Sequence, residues 1–308
     1  MVYFSFSLLD DTFNNTAKQL KPNKTYYSKD LTLWKELNNK KKSIGLNFIN
    51  REKRKQIKSL GKKILICLPP NFGTGDAVEY CISIKSLIKS RNFSKVGIAF
   101  LSKHYFIFKN LFSFNNLYPL VISSDEINSY DTVFHITLEI NALKFQKLKR
   151  SNIALEICNY FNIKLNKYQL KKTNFKKNKS NKISIFPIST SVIRSLPVKV
   201  VNEIILNFKE KYDIEIFIDN SDYSKHFLNE IYSNEIIVKN PTNIENLTKN
   251  ISKIEFGIFV DSGPLHLAKL FDKSGILIET SVSKNILLKD SQKIRAVRNI
   301  YKSNYCSG

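Results

Sequence analysis

The chain has 308 residues, 43% hydrophobic and 12% aromatic, the make-up of a globular protein with room for about two domains and not of a disordered one. Its formal net charge is +23, from 49 basic and 26 acidic residues, which favours polyanionic partners: nucleic acid, an anionic membrane surface or a phosphorylated substrate. No run approaches the ~18 consecutive apolar residues of a spanning helix, and the four cysteines and four histidines lack the spacing of a disulfide framework or a zinc site.

Residues 1–60 hold few periodic apolar patterns and carry 13 basic against 5 acidic residues. They read as a basic extension, either a loosely packed one or an arm for a membrane surface or a partner. Met1–Leu9 is apolar but lacks a basic leader and runs into Asp10 and Asp11, so it does not read as a secretory signal, and a cytoplasmic location is expected.

From Lys63 the pattern changes to alternating strands and helices. Ile64–Leu68 is a continuous apolar run, as in a buried parallel strand, and ends in Pro69-Pro70. Ala77, Tyr80, Cys81, Ile84, Leu87 and Ile88 then recur at helical spacing. Strands are expected at 96–101, 117–122 and 132–136, and helices at 103–112 and 151–161. Residues 164–182 contain eight lysines and no acid, which reads as a linker. Beyond it the alternation restarts. Ile183–Phe186 is a strand, and Pro197 opens a helix with Val201, Ile204, Ile205 and Phe208 on one face. Strands at 214–218, 236–238 and 255–260 alternate with helices at 222–232 and 243–251, and a last helix starts near Gly263. The expected fold is α/β: two doubly wound, Rossmann-like domains facing a cleft, at 61–170 and 183–308, joined by a linker at 171–182.

Three constellations carry the candidate chemistry. Gly73-Thr74-Gly75-Asp76 follows the first strand. Its glycines allow close backbone approach to a ligand, and Asp76 sits in the first turn of the next helix, where it serves either as a cap or as a general base. The GxGxxG spacing is not met, so a nicotinamide or flavin site is not expected. Ser189-Thr190-Ser191-Val192-Ile193-Arg194 places hydroxyls and a guanidinium beyond a strand end, suited to a diphosphate or else to a plain polar loop. Only seven of the 49 basic residues are Arg, so this one draws notice. The scarcity of Arg and abundance of Asn and Ile also suggest codon drift, which accounts for the net charge as well as attraction to a polyanion does.

The third constellation is Asp261-Ser262-Gly263-Pro264-Leu265-His266-Leu267-Ala268, after the apolar run Ile258-Phe259-Val260. A strand, a small polar turn and a helix start present unpaired N–H groups and the positive end of a helix dipole, a setting that receives anions. Gly263 as N-cap and Pro264 as first helical residue need no function. A His just inside the helix beside an Asp at the strand end is more than a cap needs.

Val260–Ala268 resembles the C-terminal signature of glycosyltransferase family 9, the heptosyltransferases of lipopolysaccharide synthesis. Gly75-Asp76 resembles that family's N-terminal Gly-Asp, and Phe186-Pro187 through Pro197 resembles its phosphate-binding segment, with Arg194 at the Lys/Arg position and Leu196 replacing the usual Trp. Glu279 stands where the family commonly shows Gly before Thr, and Phe217–Asn220 lacks a glycine-bearing turn. The resemblance covers roughly residues 62–280 and implies a GT-B fold and an inverting, metal-independent sugar transfer without a cofactor, from a nucleotide-diphospho-sugar to a lipid-linked or cell-envelope saccharide. It implies Asp76 as catalytic base, Ser189, Thr190, Arg194, Asp261, Ser262, Gly263 and His266 as donor-binding residues, and Gly73 and Gly75 in an acceptor-side loop. A positive surface would favour an anionic leaflet at the inner face of the cytoplasmic membrane. The competing expectation is a non-catalytic nucleotide-sugar- or polyanion-binding protein of the same fold. Nucleic acid is the least favoured partner, because clustered Arg and a DNA-reading motif are lacking.

Overall fold

Continuous apolar runs become central parallel strands because a sheet covered on both faces has no polar side to offer. The computed structural model describes residues 2–3, 26–27, 61–68, 72–100, 102–119, 124–136, 152–168, 170, 181–231, 236–288 and 291–298. The expectations for the rest of the N-terminal extension, and for residues 171–180 of the linker, lie outside the described residues. Contacts divide the chain into two units, Met1–Phe72 with Tyr80–Asn166 and Gly73–Glu79 with Lys167–Gly308.

In the first unit β1 (Val2–Tyr3) and β2 (Tyr26–Tyr27) form a short parallel pair. The main sheet contains β3 (Lys63–Cys67), β4 (Lys95–Phe100), β5 (Asn116–Pro119) and β6 (Thr132–His135), all parallel, in the order β5-β4-β3-β6. The direction of strand addition reverses between β3 and β6, which makes that gap the switch point where open α/β sheets bind ligands. Ile64–Ile66 of β3 are fully buried, each removal from water contributing about 1.5–3 kcal/mol. The chain leaves β3 for α1 (Thr74–Ser90) and later forms α2 (Ser124–Asn128), absent from the sequence reading, and α3 (Ile153–Tyr160), capped by the Asn152 side chain accepting from the Leu155 N–H at 3.1 Å.

The helix expected at 103–112 is instead a 3-10 turn, Ser102–His104, followed by a π turn, Ile107–Leu111. The Phe112 N–H reaches back five residues to the Ile107 carbonyl at 3.2 Å. This wider turn buries Ile107, Phe108, Leu111 and Phe112 together and stacks Phe108 on Phe100 at 4.3 Å. Positions 107, 108, 111 and 112 also share one face of an ordinary helix, so the apolar pattern is the same and the i to i+5 bond alone marks the wider turn.

His104, 3% exposed, stacks on Phe72 at 4.3 Å and donates its Nε2–H to the Phe72 carbonyl at 3.0 Å. Burial pushes its pKa down from 6.5 to about 4, with Lys103 adding to the effect and the Phe72 hydrogen bond opposing it. The unfolded chain therefore takes up a proton near pH 6.5 that the folded chain refuses until about pH 4. Stability is expected to be full above pH 6.5 and to fall by about 3 kcal/mol as pH drops through that window. Urea melts of the native chain and of His104→Gln between pH 7 and 4 check this. The variant should lose the His104 part of the slope, and identical slopes would count against it.

The second unit holds β7 (Lys182–Phe186), β8 (Asp213–Phe217), β9 (Ile237–Lys239), β10 (Phe256–Phe259), β11 (Ser274–Glu279) and β12 (Ile294–Arg298). All are parallel, in the order β12-β11-β10-β7-β8-β9. Counted from β7, this is the 3-2-1-4-5-6 order of dinucleotide-binding folds, with the switch point between β7 and β10. The connecting helices are α4 (Val198–Phe208), α5 (Asp222–Asn229), α6 (Ile244–Lys253), α7 (Gly263–Leu270) and α8 (Lys284–Leu287). Ile183, Ile185, Ile214, Ile216, Ile258 and Val260 pack with Leu196, Val201, Ile205 and Phe227 in one core cluster. Phe186 stacks on both Phe217 and Phe259, at 4.5 and 5.1 Å.

Two local expectations change. Pro197 is the N-cap of α4, not its first residue, and Phe208 is exposed while Asn202 is buried and donates to the Glu230 carbonyl at 3.1 Å. Strands β11 and β12 were not foreseen. In β11 Gly275 interrupts the apolar run, and β12 carries Arg295 and Arg298 as an edge strand can.

Candidate functional site at the strand ends

Asp76 lies in the first turn of α1, the helix that follows β3 in the chain. Its Oδ2 accepts the Gly73 N–H at 2.9 Å, and the Ala77 N–H bonds back to the Gly73 carbonyl at 3.0 Å. This is the returning half of a capping box, so the cap reading of Asp76 is realised. One oxygen is thereby fixed, which also orients the carboxylate. Gly73 is exposed and Gly75 half-buried.

At the switch point of the second sheet the predicted residues meet one another. Beyond β7 the chain folds back through a 3-10 turn, Val192–Arg194. The Ser189 N–H donates to Ser195 Oγ at 2.9 Å, and the Ser189 hydroxyl donates to the Asp261 carbonyl at 2.8 Å, tying the ends of β7 and β10 together. One arm of the Arg194 guanidinium meets Asp261 Oδ2 at 3.3 Å and another donates to Thr190 Oγ1 at 3.0 Å. Asp261 is buried, while the Arg194 side chain keeps 32% of its surface exposed. A guanidinium has five N–H donors, so a partly exposed fork held on one side retains donors for an incoming anion.

Ser262 is the N-cap of α7, with Gly263 first and Pro264 second in the helix, one place earlier than expected. The Ser262 side chain does not cap; its hydroxyl donates to the Val260 carbonyl at 3.3 Å. The first N–H groups of α7 thus lack a side-chain cap and carry the positive end of the helix dipole.

His266 is buried on α7, and its partner was missed in the sequence. Its Nδ1 lies 2.9 Å from Glu79 Oε1, and Lys269 Nζ lies 3.1 Å from the same oxygen. Glu79 is only 2% exposed. Two glycines permit this packing. A Cβ on Gly75 would lie 2.6 Å from the His266 ring, and one on Gly263 would lie 2.8 Å from Thr74 Cβ. Both gaps are closer than carbon atoms approach. Glu79 sits on the same helix as Asp76, but nothing local marks its role, because its partner is 187 residues away.

The described cysteines Cys67, Cys81 and Cys158 are buried, and burial pushes the Cys67 and Cys158 thiols up to about 12 and about 11. Neither is a nucleophile at neutral pH. Among the described residues no three His, Cys, Asp or Glu side chains stand together as a metal-binding group, and no helix is long and apolar enough to cross a membrane.

Two doubly wound parallel sheets with these strand-end loops define a GT-B-type α/β fold, as expected, and solved structures share it. The chain is similar to Escherichia coli heptosyltransferase WaaC with ADP, at 10% identity and TM-score 0.57, covering 76% of this chain and 93% of that one. It is similar to E. coli ADP-heptose lipopolysaccharide heptosyltransferase II at 14% identity and TM-score 0.57, covering 77% and 91%. A glycosyl transferase of family 9 from Veillonella parvula DSM 2008 aligns at 11% identity and TM-score 0.61, covering 80% and 89%. No family model and no curated protein matches by sequence. The chain therefore shares the fold of these solved heptosyltransferases and of the family 9 glycosyl transferase.

Proposed function

We propose that the protein is an inverting glycosyltransferase that moves a sugar, heptose being the leading candidate, from a nucleotide-diphospho-sugar to a lipid-linked or cell-envelope saccharide. The observation that carries this is the Arg194–Asp261–Ser189–Thr190 network at the switch point of a 3-2-1-4-5-6 sheet, beside the uncapped start of α7. It is supported by the fold shared with heptosyltransferases, some of them solved with ADP or an ADP-heptose analogue.

On this reading Arg194, Thr190 and the first N–H groups at Ser262-Gly263 meet the donor diphosphate, while Ser189 and Asp261 brace the Arg194 fork. His266, held by Glu79, positions the donor from the inner side of α7. An acceptor hydroxyl oxygen attacks the anomeric carbon, its proton passes to Asp76, and the bond to the diphosphate oxygen breaks with inversion. The charge developing on the leaving diphosphate is stabilised by groups already oriented for it. No metal or other cofactor is needed, since Arg194 and the helix dipole offset the phosphate charge. The net charge of +23 suits an acceptor at an anionic membrane surface on the cytoplasmic side.

A thermal-shift screen of nucleotide-sugars tests the donor assignment, because a ligand at 100 times its Kd stabilises the fold by about 2.7 kcal/mol. Arg194→Ala should weaken the donor about 10- to 100-fold, and Arg194→Lys should recover only part of the loss, since an ammonium lacks the planar fork. Equal titration midpoints for the native chain and Arg194→Ala would remove the diphosphate from this site.

A further inference from the structure

Strand β11 ends at Glu279 beside β10, whose end carries Asp261. The β10–β11 pairing ends at Phe259–Leu277, so Asp261 and Glu279 each lie two residues past that last pair, at the same end of neighbouring strands. Glu279 Oε1 and the Thr280 hydroxyl are both buried and have no hydrogen-bond partner. Arg298 is the register partner of Glu279 on β12, yet it is exposed and forms no ion pair with it. Buried polar atoms in folded proteins are nearly always satisfied, so two orphans on successive residues at the ligand-binding edge of a sheet point to a partner from outside the chain.

The chemistry of the pair narrows that partner. A carboxylate only accepts hydrogen bonds, and a threonine hydroxyl both donates and accepts. A phosphate offers no donor and would be repelled by Glu279. Neighbouring hydroxyls on a sugar ring offer donors to the carboxylate and an acceptor to Thr280.

We infer that Glu279 and Thr280 form a diol-reading subsite that takes up the hydroxyls of a sugar ring in the ligand bound at Arg194. This inference rests on the donor reading above. A nucleotide-sugar carries two such rings, the ribose and the transferred sugar, and the same chemistry serves either.

Isothermal titration separates the two. The probes are ADP and UDP, their 2′,3′-dideoxy forms, ADP-heptose and UDP-glucose, titrated into the native chain, Glu279→Gln and Thr280→Val. Glu279→Gln should weaken the ligand carrying the recognised diol about tenfold, and Thr280→Val should weaken it by a smaller factor. If the ribose is read, nucleotide and nucleotide-sugar weaken alike and the dideoxy forms are unaffected by either substitution. If the transferred sugar is read, only the nucleotide-sugar weakens. Binding to the native chain that both variants leave within twofold overturns the subsite alone. No binding of any probe to the native chain overturns the donor reading and the subsite with it.

Discussion

Asp76→Asn should lower kcat for sugar transfer by about 10²–10⁴-fold, the usual contribution of a positioned general base, while donor Kd stays within about twofold. Asparagine is the informative substitution because its side-chain oxygen can still accept the Gly73 N–H that Asp76 Oδ2 accepts at 2.9 Å. The cap is retained and the base is removed. Asp76→Ala removes both, and losing a helix cap costs about 0.5–2 kcal/mol, so its activity loss should come with a lower melting temperature. Steady-state transfer assays beside donor titrations separate these effects. Undiminished turnover in Asp76→Asn would leave Asp76 as a cap alone and send the search for the base elsewhere.

The second large effect is expected at Glu79. Its carboxylate takes both His266 Nδ1 and Lys269 Nζ, and the side-chain exposures are 3%, 11% and 9%. Removing one member of a buried charge group leaves the others uncompensated, so Glu79→Ala should cost about 3–5 kcal/mol in denaturant melts. Glu79→Gln keeps an acceptor for His266 but not the charge opposite Lys269. Adding Lys269→Met to it should recover part of the loss, since the orphaned ammonium is then gone. A loss below about 1 kcal/mol for Glu79→Ala would mean that water, not Glu79, satisfies His266 and Lys269.

The parts of the fold that could be read in the sequence are those where local pattern and burial agree. Ile64–Leu68 and Ile258–Val260 are apolar without interruption, and Ile183–Phe186 is broken only by the buried Ser184, because all three lie at or next to the switch points of their sheets, covered on both faces. β12 escaped notice because an edge strand is half solvated and its charges break the apolar run. The π form of the Ile107–Leu111 turn could not be read because 107, 108, 111 and 112 share one face of an ordinary helix too, and only the Phe112-to-Ile107 bond tells the two apart.

In the candidate site, Arg194 and Asp261 stood out by residue type and by their place after strands, and the structure joins them across 67 positions. Glu79 could not be found that way. Its helix reads as ordinary amphipathic structure, and a buried carboxylate is intelligible only once Lys269 and His266 are known to face it. The Glu279 departure was visible as an odd residue before Thr280. That its oxygen is buried and unpartnered is a fact of packing, not of sequence.

The second unit is discontinuous in the chain: Gly73–Glu79 group with Lys167–Gly308. A fragment starting at residue 167 would carry the complete second sheet and the Arg194 network, yet it would lack the acid opposite His266 and Lys269. During synthesis the C-terminal half therefore meets a counter-charge made some 190 residues earlier. The counter-charge for His266 and Lys269 thus comes from a short segment that chain order sets far apart from the rest of its unit.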